Sequence, residues 1–173
     1  MHDVRNLSFE VNKVMTLSVR AEFQEGERVL FTARDRSMVN VRRATGADGP
    51  IGFTSMELLM IGFANCTLGI LMGQDAMKSL PIGRVTAEIT AEMQPEPPRI
   101  ATLDAHTCIE TADADGLAAS LPEIQAAVCR CPACNSLNAD KQIRISIAAI
   151  PAPGAEPMTV IEGEPVACAL PGN

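Results

Sequence analysis

The stretch from Ser55 to Leu80, SMELLMIGFANCTLGILMGQDAMKSL, constrains this chain more than any other. Thr54 and Glu57 form a T-x-x-E pattern, a capping box that satisfies free amides at a helix start. From Leu58 to Met72 the residues are almost all apolar, interrupted at Asn65, Cys66 and Thr67. A helix that is apolar on nearly every side is usually buried on every side. The stretch therefore predicts one long helix over 55–80 at the centre of the fold. A thiol in its middle is either core filling or a protected reactive group, and the rest of the chain has to decide which.

A length of 173 residues predicts one domain, over 1–150, with a Pro-rich acidic tail over 151–173. A hydrophobic fraction of 47% is enough for a real core. The net charge of −7, with no basic run, argues against nucleic acid as a partner, because phosphate binding needs a basic surface. The chain has no Trp or Tyr, so it offers a poor platform for stacking bases. The residues after Met1-His2-Asp3 are polar and do not read as a signal peptide. The apolar part of the central helix is about 15 residues, short of the roughly 20 that cross a bilayer. The expectation is a soluble cytoplasmic protein with no membrane partner. In such a chain, six cysteines point to metal or redox chemistry before disulfide scaffolding.

Alternation marks the strands. Met15, Leu17, Val19, Ala21 and Phe23 alternate with Thr16, Ser18, Arg20, Glu22 and Gln24, the pattern of a half-buried strand. Glu25-Gly26-Glu27 reads as a turn, followed by strands over 28–33 and 37–42 in an antiparallel meander. Residues 44–53 hold three Gly and a Pro and form a loop into the central helix. Beyond Pro81-Ile82-Gly83, Val85 to Met93 alternates strictly until Pro95, Pro97 and Pro98. Ala101, Leu103, Ala105, Thr107 and Ile109 make the inner face of the next strand, with Asp104, His106, Cys108 and Glu110 opposite. Ser120 and Glu123 form a second capping box ahead of a helix running to Cys129, and Ile143, Ile145 and Ile147 mark a last strand. The order β-β-β-α-β-β-α-β lacks regular alternation, so the fold class is α+β with antiparallel pairing.

Cys131-Pro132-Ala133-Cys134 is the sharpest local motif. Proline suits the first position of a helix, which makes Cys131 its cap. A thiolate at a helix start sees the positive end of the helix dipole. The motif also matches the redox C-x-x-C pattern, but here it follows a late helix and not the early strand of a thioredoxin-like βαβ unit. A metal reading takes Cys129, Cys131 and Cys134 as ligands, with Cys66, Cys168 or His106 as the fourth. The plainest reading makes several of these packing cysteines. That reading, or simple exposure, is preferred for Cys108 and Cys168, and His106 reads as a solvated side chain.

Three segments together resemble the OsmC/Ohr family of thiol proteins that reduce organic hydroperoxides. They are Ser55-Met56-Glu57-Leu58-Leu59, then Ala64-Asn65-Cys66-Thr67, then Cys131-Pro132 behind a helix with Leu137 following. The first two are similar to the family's central helix, NP-x-E-L-L…C, and the third to its C-P-x-S-x-x-L segment, with Cys134 in the Ser place. The resemblance spans about residues 13–149. It implies an intertwined homodimer with the central helices buried and no cofactor. Cys66 would be the peroxidatic thiol that becomes a sulfenic acid, and Cys131 would resolve it as a disulfide. An external dithiol would then reduce the disulfide, and apolar walls would favour organic hydroperoxides. The family also uses a glutamate and an arginine. Glu57 is the nearest acid, but Met56 takes the family's Glu place. Nine residues at about 100° each put Glu57 half a turn from Cys66 unless the helix breaks near Gly62, so Glu57 also reads as a simple cap. Arg28 is the nearest arginine, with Arg20, Arg42 and Arg43 as rivals. Cys129 or Cys134 could capture the sulfenic acid instead of Cys131, or pair with it. Two other functions stay open: a non-enzymatic protein of this fold holding an apolar ligand, and a metal-binding protein using the 129–134 cluster.

Overall fold

The computed structural model describes residues 17–24, 28–41, 52–151 and 158–168. It divides into two compact units, residues 1–55 and 56–173. The Glu25-Gly26-Glu27 turn and most of the 44–53 loop lie outside the described residues.

The first unit is a three-stranded antiparallel sheet of β1 (Arg20–Gln24), β2 (Arg28–Ala33) and β3 (Arg36–Val41), in that order. β1 begins five residues later than the alternation from Met15 suggests. Its first residue, Arg20, pairs with Thr32, one residue short of the end of β2, and Met15 and Thr16 lie outside the described residues. Leu17, Val19 and Phe23, expected to be half-buried, are exposed. Asn40 is the buried polar residue among the described residues of this unit, and its side chain bonds both backbone groups of Phe53, at 2.8 Å each. Gly52 makes that closure possible: a Cβ there would lie 1.8 Å from the Val41 carbonyl oxygen.

The second unit opens with the apolar stretch, which forms two helices and not one: α1 (Ser55–Met72) and α2 (Asp75–Ser79). Gln74 between them is extended, with φ −69° and ψ 147°, which ends the first helix. α1 is not buried all round in the single chain. Phe63, Thr67 and Leu71 at i, i+4 and i+8 face the core, while Met56, Leu59, Ile61 and Met72 are exposed. By length and composition α1 is also apolar enough to cross a membrane, with a mean hydropathy of 1.5 over 18 residues. The span of about 15 residues read from the sequence began at Leu58, whereas the helix begins at Ser55.

A mixed sheet follows, built from β4 (Ile82–Pro95), β5 (Pro98–Thr111), β6 (Asp140–Ala149) and β7 (Thr159–Ile161), with β8 (Val166–Ala167) also on β6. β4 and β5 form the expected antiparallel hairpin across the prolines. β5 and β6 are parallel, a departure from all-antiparallel pairing. Parallel neighbours need a crossover of a dozen or more residues. That crossover carries α3 (Ala114–Cys129) and α4 (Pro132–Ser136). α3 starts earlier than Ser120, because Asp113 caps it by accepting from the Gly116 amide at 2.9 Å. Leu117, Ile124 and Val128 on α3 pack with Ala105, Ile109, Ile143, Ile145 and Ile147 of the sheet and with Phe63 and Leu71 of α1. Burying side chains of this size is worth about 1.5–3 kcal/mol each.

Residues 158–168 of the expected tail run back along β6. Ala167 pairs with Gln142 and Val166 with Ile143. Gly163 lets the arm approach, since a Cβ there would lie 1.7 Å from the Ile145 carbonyl oxygen.

Candidate active site

α1 places Cys66 half-buried against the same core that holds Cys131 and Cys134, which are 0% and 1% exposed. The expected cap geometry is present. Cys131 precedes α4 in extended conformation, Pro132 opens the helix, and the Cys134 amide donates to the Cys131 sulfur at 3.2 Å. Cys66 packs against the cluster that holds Cys131, close enough for its sulfur to raise the Cys131 thiol. All three sulfurs are free thiols.

Burial dominates the electrostatics of this cluster. It pushes the Cys131 thiol up to about 11, helped by the neighbouring Cys66 and opposed by the Cys134 amide. Burial also raises Cys134, while the Lys141 ammonium pulls it down and Cys66 adds to the rise. Lys141 is itself buried, 4% exposed, and donates to the carbonyls of Leu137 at 2.6 Å and Ala139 at 3.0 Å. Two buried neutral thiols beside a more open third make an asymmetric set. Cys131 keeps its proton and can donate to the Cys66 sulfur, while Cys66 is the sulfur a small molecule reaches with least rearrangement.

Arg28 is the exposed first residue of β2, in the first unit. Of its rivals, Arg20 pairs with Glu22 at 3.2 Å, and Arg42 and Arg43 lie outside the described residues. Glu57 is exposed in the first turn of α1. The helix runs unbroken through Gly62, so the break that would swing Glu57 round to Cys66 is absent. At about 100° per residue the two remain on opposite sides.

Cys129 and Cys168 correct the cysteine reading. They form a disulfide, so Cys168 is neither a packing thiol nor exposed, and Cys129 does not pair with Cys131. The bond fastens the end of α3 to the arm that follows β8, where the Cys168 amide also donates to the Lys141 carbonyl at 2.9 Å. Only the return of the arm along β6 brings these two together, and no spacing in the sequence signals it. With Cys129 so engaged it is lost as a ligand, and among the described residues no group of three or more His, Cys, Asp or Glu is placed to hold a metal ion. His106 is likewise not simply solvated: its Nε2 lies 2.9 Å from the Ser146 hydroxyl, which donates to Glu162 at 3.4 Å. On the same outer face Arg84 donates from Nε to buried Glu110 at 3.0 Å. Cys108 shares that face, away from the thiol cluster, and burial followed by the Glu110 charge raises its thiol above the ordinary value.

The α+β fold, with a three-stranded antiparallel sheet and a mixed sheet, defines the class. The fold is that of the OsmC-like and Ohr proteins. An OsmC-like protein from Mycoplasma pneumoniae is 17% identical, with a TM-score of 0.62 over 77% of this chain and 97% of that one. A putative osmotic stress induced and detoxification response protein from Psychrobacter arcticus is 17% identical, with a TM-score of 0.62 over 78% and 98%. The organic hydroperoxide resistance protein OhrB of Bacillus subtilis is 18% identical, with a TM-score of 0.51 over 76% and 98%. No family model and no curated protein matches the sequence.

Proposed function

We propose that this chain is a soluble, cytoplasmic member of the OsmC/Ohr family that reduces organic hydroperoxides through Cys66 and Cys131. The observation that carries the reading is the meeting of the Cys66 and Cys131 side chains in one buried cluster. The Cys66 thiolate attacks the peroxide, the O–O bond breaks, an alcohol leaves and Cys66 becomes a sulfenic acid. Cys131 attacks that sulfur, water leaves and a Cys66–Cys131 disulfide forms. An external dithiol returns both to thiols by exchange. No cofactor takes part. By the resemblance, Arg28 is the arginine assigned to steadying the Cys66 thiolate, and Glu57 favours the N-terminus of α1 by its charge. A second copy of the chain covers the exposed apolar residues Leu59, Ile61 and Met72 of α1. That reading expects sedimentation at the mass of two chains.

The test is hydroperoxide consumption with a dithiol as reductant. Wild type should turn over an alkyl or aryl hydroperoxide, Cys66→Ser should abolish turnover, and Cys131→Ser should leave a trappable sulfenic acid on Cys66. Normal turnover by Cys66→Ser removes the mechanism. Saturable binding of an apolar ligand with no peroxide consumed would select a non-enzymatic binding protein, a reading favoured by Met56 in the place of the family's glutamate.

A further inference from the structure

Cys134 is the thiol that the two-cysteine cycle leaves unused. In the segment that resembles the family this place is a Ser. Here it is a free cysteine 1% exposed, one helical turn from the resolving thiol and electrostatically coupled to Cys66. Of the four free thiols three gather here, and the fourth, Cys108, is on the outer face of β5. Cys129, the remaining local competitor, is held by Cys168.

We propose that Cys134 is a relay thiol, which displaces Cys66 from the Cys66–Cys131 disulfide and leaves the oxidising equivalent on a Cys131–Cys134 disulfide. The inference rests on the peroxidase reading for the source of that equivalent. The step balances. The Cys134 sulfur attacks the Cys131 sulfur, the Cys66–Cys131 bond breaks, a Cys131–Cys134 bond forms, and the proton from Cys134 ends on Cys66. No oxidant beyond the hydroperoxide is needed, and the external dithiol then reduces the new bond.

Geometry favours this direction. Cys131 and Cys134 occupy the cap and third positions of α4. Residues three apart on a helix are about 5–6 Å apart at Cβ and a disulfide needs about 3.5–4.5 Å, so the bond closes once the extended cap residue Cys131 turns toward Cys134. The Cys134 amide already points at the Cys131 sulfur. The leaving sulfur, Cys66, is the most open of the three, so its developing charge is better solvated than charge on either partner. The buried Lys141 ammonium assists the attack by favouring charge on Cys134.

Tryptic cleavage reads the outcome directly. Cutting at Arg43, Lys78, Arg130 and Lys141 puts Cys66 in peptide 44–78, Cys131 with Cys134 in peptide 131–141, and Cys129 in a third peptide. The full chain, with the Cys129–Cys168 bond intact and Cys66, Cys131 and Cys134 as thiols, is treated with limiting cumene hydroperoxide, quenched over time with an alkylating agent and mapped by mass spectrometry. In wild type a 44–78/131–141 cross-link should appear first. It should then give way to an internally bridged 131–141 peptide two hydrogens lighter, with Cys66 alkylatable again. Cys134→Ser, or Cys134→Ala if the serine variant does not fold, should stop at the cross-link. A persistent Cys66–Cys131 or Cys66–Cys134 cross-link in wild type overturns the relay and leaves the peroxidase reading standing. If hydroperoxide oxidises no thiol, the peroxidase reading fails, and diamide, a direct thiol oxidant, decides the relay. Conversion of its cross-link in wild type but not in the Cys134 variant supports the proposal, and no conversion overturns it.

Discussion

Removing the Cys129–Cys168 disulfide, by the double change Cys129→Ala and Cys168→Ala, should destabilise the second unit heavily. The bond closes a loop with a sequence separation of 39 residues. In the chain-entropy treatment a loop of that size restricts the unfolded chain by about 13 cal/mol/K, or about 4 kcal/mol at 25 °C. For a chain of this length 1 kcal/mol moves the melting temperature by about 2–4 °C, so the expected fall is about 8–16 °C. The folded side adds to the loss. β8 is only two residues long, and its pairing on β6 is held at one end by this bond. The assay is thermal unfolding followed by circular dichroism, for the double variant and for wild type with and without a thiol reductant. Titration of the denatured, unreduced wild type should find four thiols and not six. Hydrogen exchange should show the arm amides opening first in the variant. A melting temperature unchanged by both the double substitution and the reductant, with the bond confirmed by titration, would refute the entropic argument.

Three further outcomes concern the thiols and the residues assigned to them. Cys108, Cys131 and Cys134 are each held above the ordinary thiol value of 9.0, first of all by burial. The folded chain therefore keeps protons that the unfolded chain gives up. The stabilising effect is fully present below pH 9 and is lost as the pH rises toward the folded values, about 11 for Cys131. The melting temperature of the thiol form under argon should fall above pH 9, and by less in Cys131→Ala; a flat profile from pH 8 to 10 would contradict the burial argument. If Arg28 holds the thiolate as proposed, Arg28→Met should slow the peroxide step by about 10–100-fold, the loss of one charged hydrogen bond of about 1.5–3 kcal/mol. Glu57→Gln should change it by less than about twofold, because an unbroken helix keeps that carboxylate away from Cys66. Single-turnover kinetics separate the two, and a larger effect from Glu57→Gln would reverse their roles.

Much of this was legible in the residues. The C-P-x-C capping geometry is local: Pro132 has no amide to lose and a φ suited to a first helical turn, so Cys131 had to be the cap. The alternation of β5 and β6 is also local, and Leu103, Ala105, Thr107 and Ile109 are buried as that pattern requires. Helix ends were harder. Ser120-x-x-Glu123 fits a capping box, but Asp113, seven residues earlier, is an equally good cap, and α3 carries Pro122 within it. The central helix ends at Met72 because Gln74 turns extended, which apolar content does not encode.

By itself the sequence determined which segments could be strands and helices, where a thiol could cap a helix, and that Cys66 lay in an apolar setting. These depend on neighbours a few residues away, through periodicity, propensity and amide satisfaction. Only the tertiary structure decided which cysteines meet. Cys66 and Cys131 are 65 residues apart in the chain. They come together because α1 and the α3–α4 crossover pack on one face of a sheet whose β5 and β6 are parallel. Cys129 and Cys168 come together because an arm returns along β6. Packing of distant apolar faces sets such encounters, and no local rule carries that information.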